Sequence, residues 1–271
     1  MRRTGFKYFK FIFTLQYPVI SFLLRKIYNN DLDSNTMIPD IMLAWKSFSA
    51  KQIPAIIPLE PIFYEHVKKG SKVLDLGCAW GRVGFQMQEA GLNVFGVDIN
   101  ADAIKKAELL AVETNKIYPE QAKFLLVDAL DLSNFPDDYF DAAVMIAFMV
   151  TQVDPEHRPK ILKEVCRVLK PNGFLYIADF ADNYQNPKYK DRYEQHFKKT
   201  GEWRTFIVTD THSVEGNELY RCHHYTKKEL SDLVSPGFRI EKIEDKKYFT
   251  GNSEVDCMVI LARKHRQEQS K

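Results

Sequence analysis

Residues 72–84, Lys-Val-Leu-Asp-Leu-Gly-Cys-Ala-Trp-Gly-Arg-Val-Gly, constrain the chain more than any other stretch. Val73, Leu74 and Leu76 form a short apolar run that breaks abruptly into small residues, and helix-compatible residues resume at 82–88. That order predicts a buried strand, a tight turn over 77–81 and a helix whose N-terminus faces the turn. At such a turn a ligand can lie against bare backbone, where the helix's unpaired N–H groups meet polar or negative atoms. A second apolar run, 92–97, ends in Asp98. A carboxylate at the tip of a second strand is placed to bind the two hydroxyls of a ribose. A nicotinamide fingerprint needs glycine at its first, third and sixth positions. Counted from Gly77, the third is Ala79 and the sixth Arg82, so that reading fails on spacing.

Val73-Leu-Asp-Leu-Gly-Cys-Ala-Trp-Gly81 and Gly96-Val-Asp-Ile-Asn100 resemble the first two motifs of the class I S-adenosylmethionine-dependent methyltransferases. The resemblance implies an α/β, doubly wound, seven-stranded and mostly parallel sheet, with S-adenosylmethionine as cofactor. It puts Asp75, Gly77, Cys78, Ala79 and Gly81 beside the cofactor, Asp98 on its ribose and Ile99 against its base. The family usually has Gly-x-Gly-x-Gly. Here the middle glycine is Ala79, whose methyl group is tolerated if its φ is negative. Asp128-Ala129 matches the third-strand motif, whose acid accepts from the adenine amino group, with Ala129 and Leu130 as apolar walls. An Asp ending a strand is also a common turn or helix cap. Ala147 and Phe148, leaving strand four, are expected at the sulfonium end. Residues 164–177 look like the family's helix–turn–strand segment, in which Pro171-Asn172-Gly173 stops the helix and starts the strand. The resemblance covers residues 70–180 closely and 225–263 loosely.

The 271 residues suit one large α/β domain with extensions: 1–70 as a helical extension and lid, 71–263 as the catalytic domain, 264–271 as a polar tail. A net charge of +2 gives no basic field of the kind nucleic-acid binders carry, so no nucleic-acid partner is expected. The four cysteines, at 78, 166, 222 and 257, contain no C-x-x-C pair. They read as reduced thiols of a cytoplasmic protein with no metal site.

Residues 11–24 form an apolar run with Arg2, Arg3, Lys7 and Lys10 before it and Arg25 and Lys26 after it. It contains Gln16 and Pro18 and falls short of the ~20 residues a bilayer span needs. Two readings of residues 1–30 stay open: a helix packed on the domain or a partner subunit, or an aromatic segment resting on a membrane surface. Trp45, Lys46 and Tyr64 are candidates for a lid, with core packing the commoner fate of such aromatics.

From residue 71 the pattern alternates: strands at 72–76, 92–98, 123–127, 140–146 and 173–180, helices at 82–90, 101–116 and near 157–170. Such alternation means a parallel sheet with the ligand at the strands' carboxyl ends. An insertion at 181–226 follows strand five, with a helix at 187–199 and two strands joined by a turn near Gly216-Asn217. Thr226 is placed to cap a helix over 227–234. Two final antiparallel strands complete seven.

Methyl transfer is an in-line displacement, and the protein mainly aligns nucleophile, methyl and sulfur. A base is needed only for a hydroxyl or a protonated amine, and histidine suits that work near neutrality. His223 and His224 are the candidate catalytic residues; on a strand they alternate faces, so at most one points inward. His157 is expected at the start of a helix. A small-molecule acceptor leads. Amino-methylating nucleic-acid enzymes carry an Asn/Asp-Pro-Pro-aromatic tetrad where this chain has Ile146-Ala-Phe-Met149. A nucleic-acid or protein methyltransferase and a non-catalytic cofactor-binding protein are the alternatives. No residue pattern sets the acceptor atom or the oligomeric state.

Overall fold

A computed structural model of the chain describes residues 57–210, 216–250 and 253–266. The apolar run at 11–24, Trp45, Lys46 and His212 lie outside the described residues. Seven strands form one sheet: β1 (Lys72–Leu76), β2 (Asn93–Asp98), β3 (Ala122–Leu126), β4 (Phe140–Ile146), β5 (Leu169–Phe180), β8 (Phe238–Thr250) and β9 (Ser253–Lys264). Their spatial order is β3-β2-β1-β4-β5-β9-β8, parallel except for β9 and β8. β6 (Thr205–Thr209) and β7 (Glu218–His223) pair separately as an antiparallel ribbon.

Alternation along each strand divides the core in two. Val73, Val94, Ala142, Val144 and Tyr176 face one side, where α2 (Arg82–Glu89) and α3 (Ala101–Thr114) contribute Val83, Phe85, Ile104 and Ala107. Leu74, Leu76, Ala143, Met145 and Ile177 face the other, against Ile161, Leu162 and Val165 of α4 (His157–Val168) and Leu230 and Val234 of α6 (Lys227–Val234). A sheet buried on both faces needs continuous apolar strands, and β1, β4 and β5 supply them. The short α1 (Ile62–His66) packs Phe63 edge-on to Tyr64 and Tyr176. Tyr64 is thus part of the first cluster's packing.

Caps follow the sequence. The Asn100 side chain accepts from Ala103 N–H at the start of α3, Asn186 from Lys188 at the start of α5 (Pro187–Thr200), and Thr226 from Glu229 at the start of α6. One junction differs from expectation. Strand pairing resumes at Leu169, directly after α4, and the β4–β5 register then jumps from Phe140↔Leu169 to Ala142↔Phe174. Residues 170–173 bulge out, with Asn172 at φ +63°. The proline and glycine therefore shape a bulge within β5 rather than the boundary between helix and strand. No helix among the described residues is long and apolar enough to cross a membrane.

Candidate active site

Strand order reverses between β1 and β4, and the crevice of a doubly wound sheet opens at that switch point. The turn after β1 lies there. Gly77, Ala79 and Gly81 all have positive φ (69°, 48° and 87°), so the chain folds back on itself in alternate left-handed steps. The condition set for Ala79 is not met: its methyl group sits in the left-handed region, at a cost of roughly 1 kcal/mol. Gly77 N–H and Cys78 N–H both donate to Val97 C=O (2.9 and 3.1 Å), tying the turn to β2. Gly96 allows this approach, since a Cβ there would stand 2.8 Å from Cys78 Sγ. Burial pushes the Cys78 thiol far up, so it serves as packing.

Asp98 leaves the tip of β2 half-buried. Its Oδ2 accepts from Ala79 N–H (2.8 Å) and its Oδ1 from Asn100 N–H (2.9 Å), which leaves each oxygen a further lone pair. Burial raises its pKa and these N–H groups partly oppose that rise. Val127 N–H donates to Asp98 C=O (3.1 Å), so Asp128 leaves the neighbouring strand tip beside it. Asp128 is exposed, and its Oδ1 accepts from Leu130 N–H (3.0 Å), forming the turn anticipated as its simpler role. Ile99 is half-buried and Ala129 buried. Ala147 turns out of β4 at φ +50°, and the Phe148 ring then lies against the hinge: a Cβ on Gly77 would come within 2.5 Å of it.

Asp75 lies in β1 beneath the turn, 2% exposed. Its Oδ2 has no hydrogen-bond partner among the described residues. Burial pushes its pKa up to about 7, with Arg82 lowering it and Asp98 raising it. A buried carboxyl oxygen left open is costly unless something cationic or hydrogen-bonding meets it.

The two histidines are both buried, against the expectation that only one would face inward. His223 sits among charges contributed by three separate segments. Arg158 makes a bidentate pair with Glu202 (2.6 and 2.7 Å). Thr205 O–H donates to Glu202 (2.6 Å) and so accepts from His223 Nδ1–H (2.7 Å), while His223 Nε2–H donates to Glu229 (2.8 Å). Both ring nitrogens donate, which is the imidazolium form. Glu202, His223 and Glu229 approach one another closely enough to share a cation. The Arg158 guanidinium already stands there, 3.8 Å from Glu229. His224 is the opposite case. It stacks on Phe180 and meets Phe206 edge-on, and its Nδ1 takes the Tyr193 O–H (2.7 Å). Burial lowers its pKa to about 3, so the ring is neutral.

Arg158 was readable in principle. It lies three, four and seven residues before Ile161, Leu162 and Val165, a charged residue on the buried face of an amphipathic helix. His157 begins that helix as expected.

A glycine-hinged turn at the switch point, with acids at adjacent strand tips, defines a nucleoside-cofactor-binding α/β enzyme of the doubly wound class. Residues 67–234 match a family model described as a methyltransferase domain. A ubiquinone/menaquinone biosynthesis C-methyltransferase of Neisseria meningitidis is 31% identical over 165 residues, 58% of this chain and 57% of that protein. The chain thus spans little over half of that relative's length. The enzyme of the same name from Rickettsia rickettsii is 27% identical over 73% of each chain. A solved S-adenosylmethionine-dependent methyltransferase from Methanosarcina mazei is 34% identical, with a TM-score of 0.73 over 78% of this chain and 100% of that one. The chain belongs to the S-adenosylmethionine-dependent methyltransferase family. Its own residues fit that cofactor: a left-handed turn over 77–81 with the Asp98 carboxylate fixed at its edge, and an open buried oxygen on Asp75.

Proposed function

We propose that this protein transfers a methyl group from S-adenosylmethionine to a small-molecule acceptor. The observation that carries the reading is the hinge–acid constellation, in which Asp98 joins Ala79 across the turn while Asp75 keeps an oxygen free below it. Asp98 would accept from the ribose hydroxyls, Asp75 would meet the methionine ammonium, and Asp128 with Ile99 and Ala129 would frame the base. The backbone of Gly77, Cys78, Ala79 and Gly81 would line the cofactor, and Ala147 would adjoin its reacting end. The cofactor, once bound, supplies a methyl group already activated by sulfonium. The chain's remaining work is to orient the acceptor and exclude water.

Neither histidine serves as base in this proposal. His223 has both nitrogens engaged with acids and a hydroxyl, and His224 is enclosed by aromatic rings with Nδ1 taken. An electron-rich ring carbon can attack the methyl group directly and then lose its ring proton to water, so no base is needed before transfer, and the relatives named as C-methyltransferases support that choice. The apolar, basic-flanked run at 11–24 favours a lipophilic acceptor met at a membrane surface. The test is to incubate the protein with methyl-labelled cofactor and lipid-extracted metabolites. A labelled small molecule, with matching S-adenosylhomocysteine release, is expected. Label found only in protein or nucleic acid, or cofactor binding with no turnover on any acceptor, overturns the reading.

A further inference from the structure

The turn that leaves β4 is held by side chains from β5 and from the segment beyond β7. Asp179, fully buried near the end of β5, accepts from Val150 N–H through Oδ2 (3.1 Å) and from Phe180 N–H through Oδ1 (2.8 Å). Tyr225, fully buried just beyond β7, donates its O–H to Met149 C=O (2.9 Å). Thr151 closes the same turn on itself, its hydroxyl donating to Phe148 C=O (2.7 Å). One residue therefore grips an N–H of the turn, and another grips a C=O. The ring that the turn carries, Phe148, fills the space against Gly77.

We propose that Asp179 and Tyr225 are positioning residues: by clamping residues 148–151 they set the Phe148 ring against the Gly77 hinge and so fix one wall of the cofactor crevice. This rests on reading the hinge as the cofactor site. The chemistry of the clamp supports it. Burial pushes the Asp179 carboxyl up to about 7, and what draws it back is backbone N–H, from Phe180, Val150, Met149 and Phe148. A carboxylate kept dry and aimed at successive N–H groups fixes backbone; it costs too much to be mere filling. Tyr225 also leads directly into Thr226 and α6, so the clamp ties the end of the 181–226 insertion to the turn that carries Phe148. Ala147, strained at φ +50° beside the turn, is the kind of residue that persists only where its surroundings over-determine it.

Two readouts test the proposal. In the ligand-free protein, NMR measures amide exchange at Met149 and Val150 and the nuclear Overhauser contact between the Phe148 ring and Gly77 Hα. Asp179→Asn should speed Val150 exchange by about tenfold or more, the scale of one lost buried hydrogen bond, and weaken the contact, while Leu74 and Ile177 keep their protection. Tyr225→Phe should do the same more mildly, and it carries the test if Asp179→Asn does not fold. The second readout is the dissociation constant of S-adenosylhomocysteine, expected to weaken roughly tenfold in Asp179→Asn. In a Phe148→Ala background the same substitution should have no further effect, because the ring it positions is gone. Unchanged exchange and ring contact in Tyr225→Phe, or full additivity with Phe148→Ala, overturns the proposal. Absence of binding by the unsubstituted protein would instead strike the cofactor reading, with the ligand-free NMR result still deciding whether the clamp exists.

Discussion

Asp98 Oδ2 accepts the backbone N–H of Ala79 at 2.8 Å, so the acid at the tip of the second strand also fixes the middle residue of the glycine-hinged turn. Two parts of the site that look independent in sequence are one unit in space. The bond compensates in part for holding a methyl-bearing residue at φ +48°. It also means that the acid arrives already oriented, with lone pairs left for a diol.

Replacing that acid therefore acts twice. Asp98→Ala releases Ala79 and takes away the proposed acceptor for ribose hydroxyls. Loss of a hydrogen bond to a charged group costs about 1.5–3 kcal/mol. Titration calorimetry with S-adenosylhomocysteine should show binding weakened by at least that much, and unchanged affinity would contradict the ribose assignment.

Ala79→Gly tests the strain itself. Glycine reaches φ +48° without the Cβ penalty, though it gains freedom in the unfolded chain. The net expectation is a stabilisation of at most about 0.6 kcal/mol, read as an equal or slightly higher urea midpoint at constant slope. A lower midpoint would mean that the Ala79 methyl group makes packing contacts worth more than the strain.

Much of this site was legible because it is local. The strand–turn–helix order of 72–84, the acid ending β2 and the alternation of elements follow from periodicity and spacing over a few tens of residues. What escaped depends on distant partners. The charge on His223 depends on Glu202, Glu229 and, behind them, Arg158, which reaches Glu202 from forty-four positions away. The sign of φ at Ala79 is set by the tie to Asp98, and the bulge at 170–173 by the register of β4 against β5. Local sequence shows that residues 171–173 turn and that Arg158 lies on a buried helix face, but not which distant groups they meet.

The cluster around His223 gives stability a pH signature. Burial alone would lower the His223 pKa, but its bonds to Glu202 and Glu229 outweigh that and raise it. Burial would raise Glu202, yet His223, Arg158 and Thr205 hold it far below the usual carboxylate range. A raised histidine contributes fully below its unfolded value of 6.5 and loses that contribution as pH climbs through its folded value. A depressed glutamate contributes above 4.5 and loses it only in strong acid. The cluster is thus strongest between about pH 4.5 and 6.5 and weakens toward alkaline pH. Urea midpoints should fall over that alkaline limb in the unsubstituted protein, and His223→Gln should flatten it. Arg158→Met removes the bidentate partner of Glu202 and leaves it Thr205 and His223, so it should cost about 1.5–3 kcal/mol, the scale of a hydrogen bond to a charged group.

Asp75 supplies the pH dependence of ligand binding. Its carboxyl is buried and pushed up to about 7, so near neutrality a substantial fraction carries a proton. A cofactor ammonium arriving at the open Oδ2 favours the ionised form, and binding must then release protons. Affinity for S-adenosylhomocysteine should rise with pH between about 6 and 8 and level off once Asp75 is ionised in the free protein. Calorimetry in buffers of different ionisation enthalpy reads the released protons directly. Asp75→Asn should bind more weakly and remove both the slope and the proton release. A slope that survives in Asp75→Asn would assign it to another group, with Asp98, whose pKa burial also raises, the next to test.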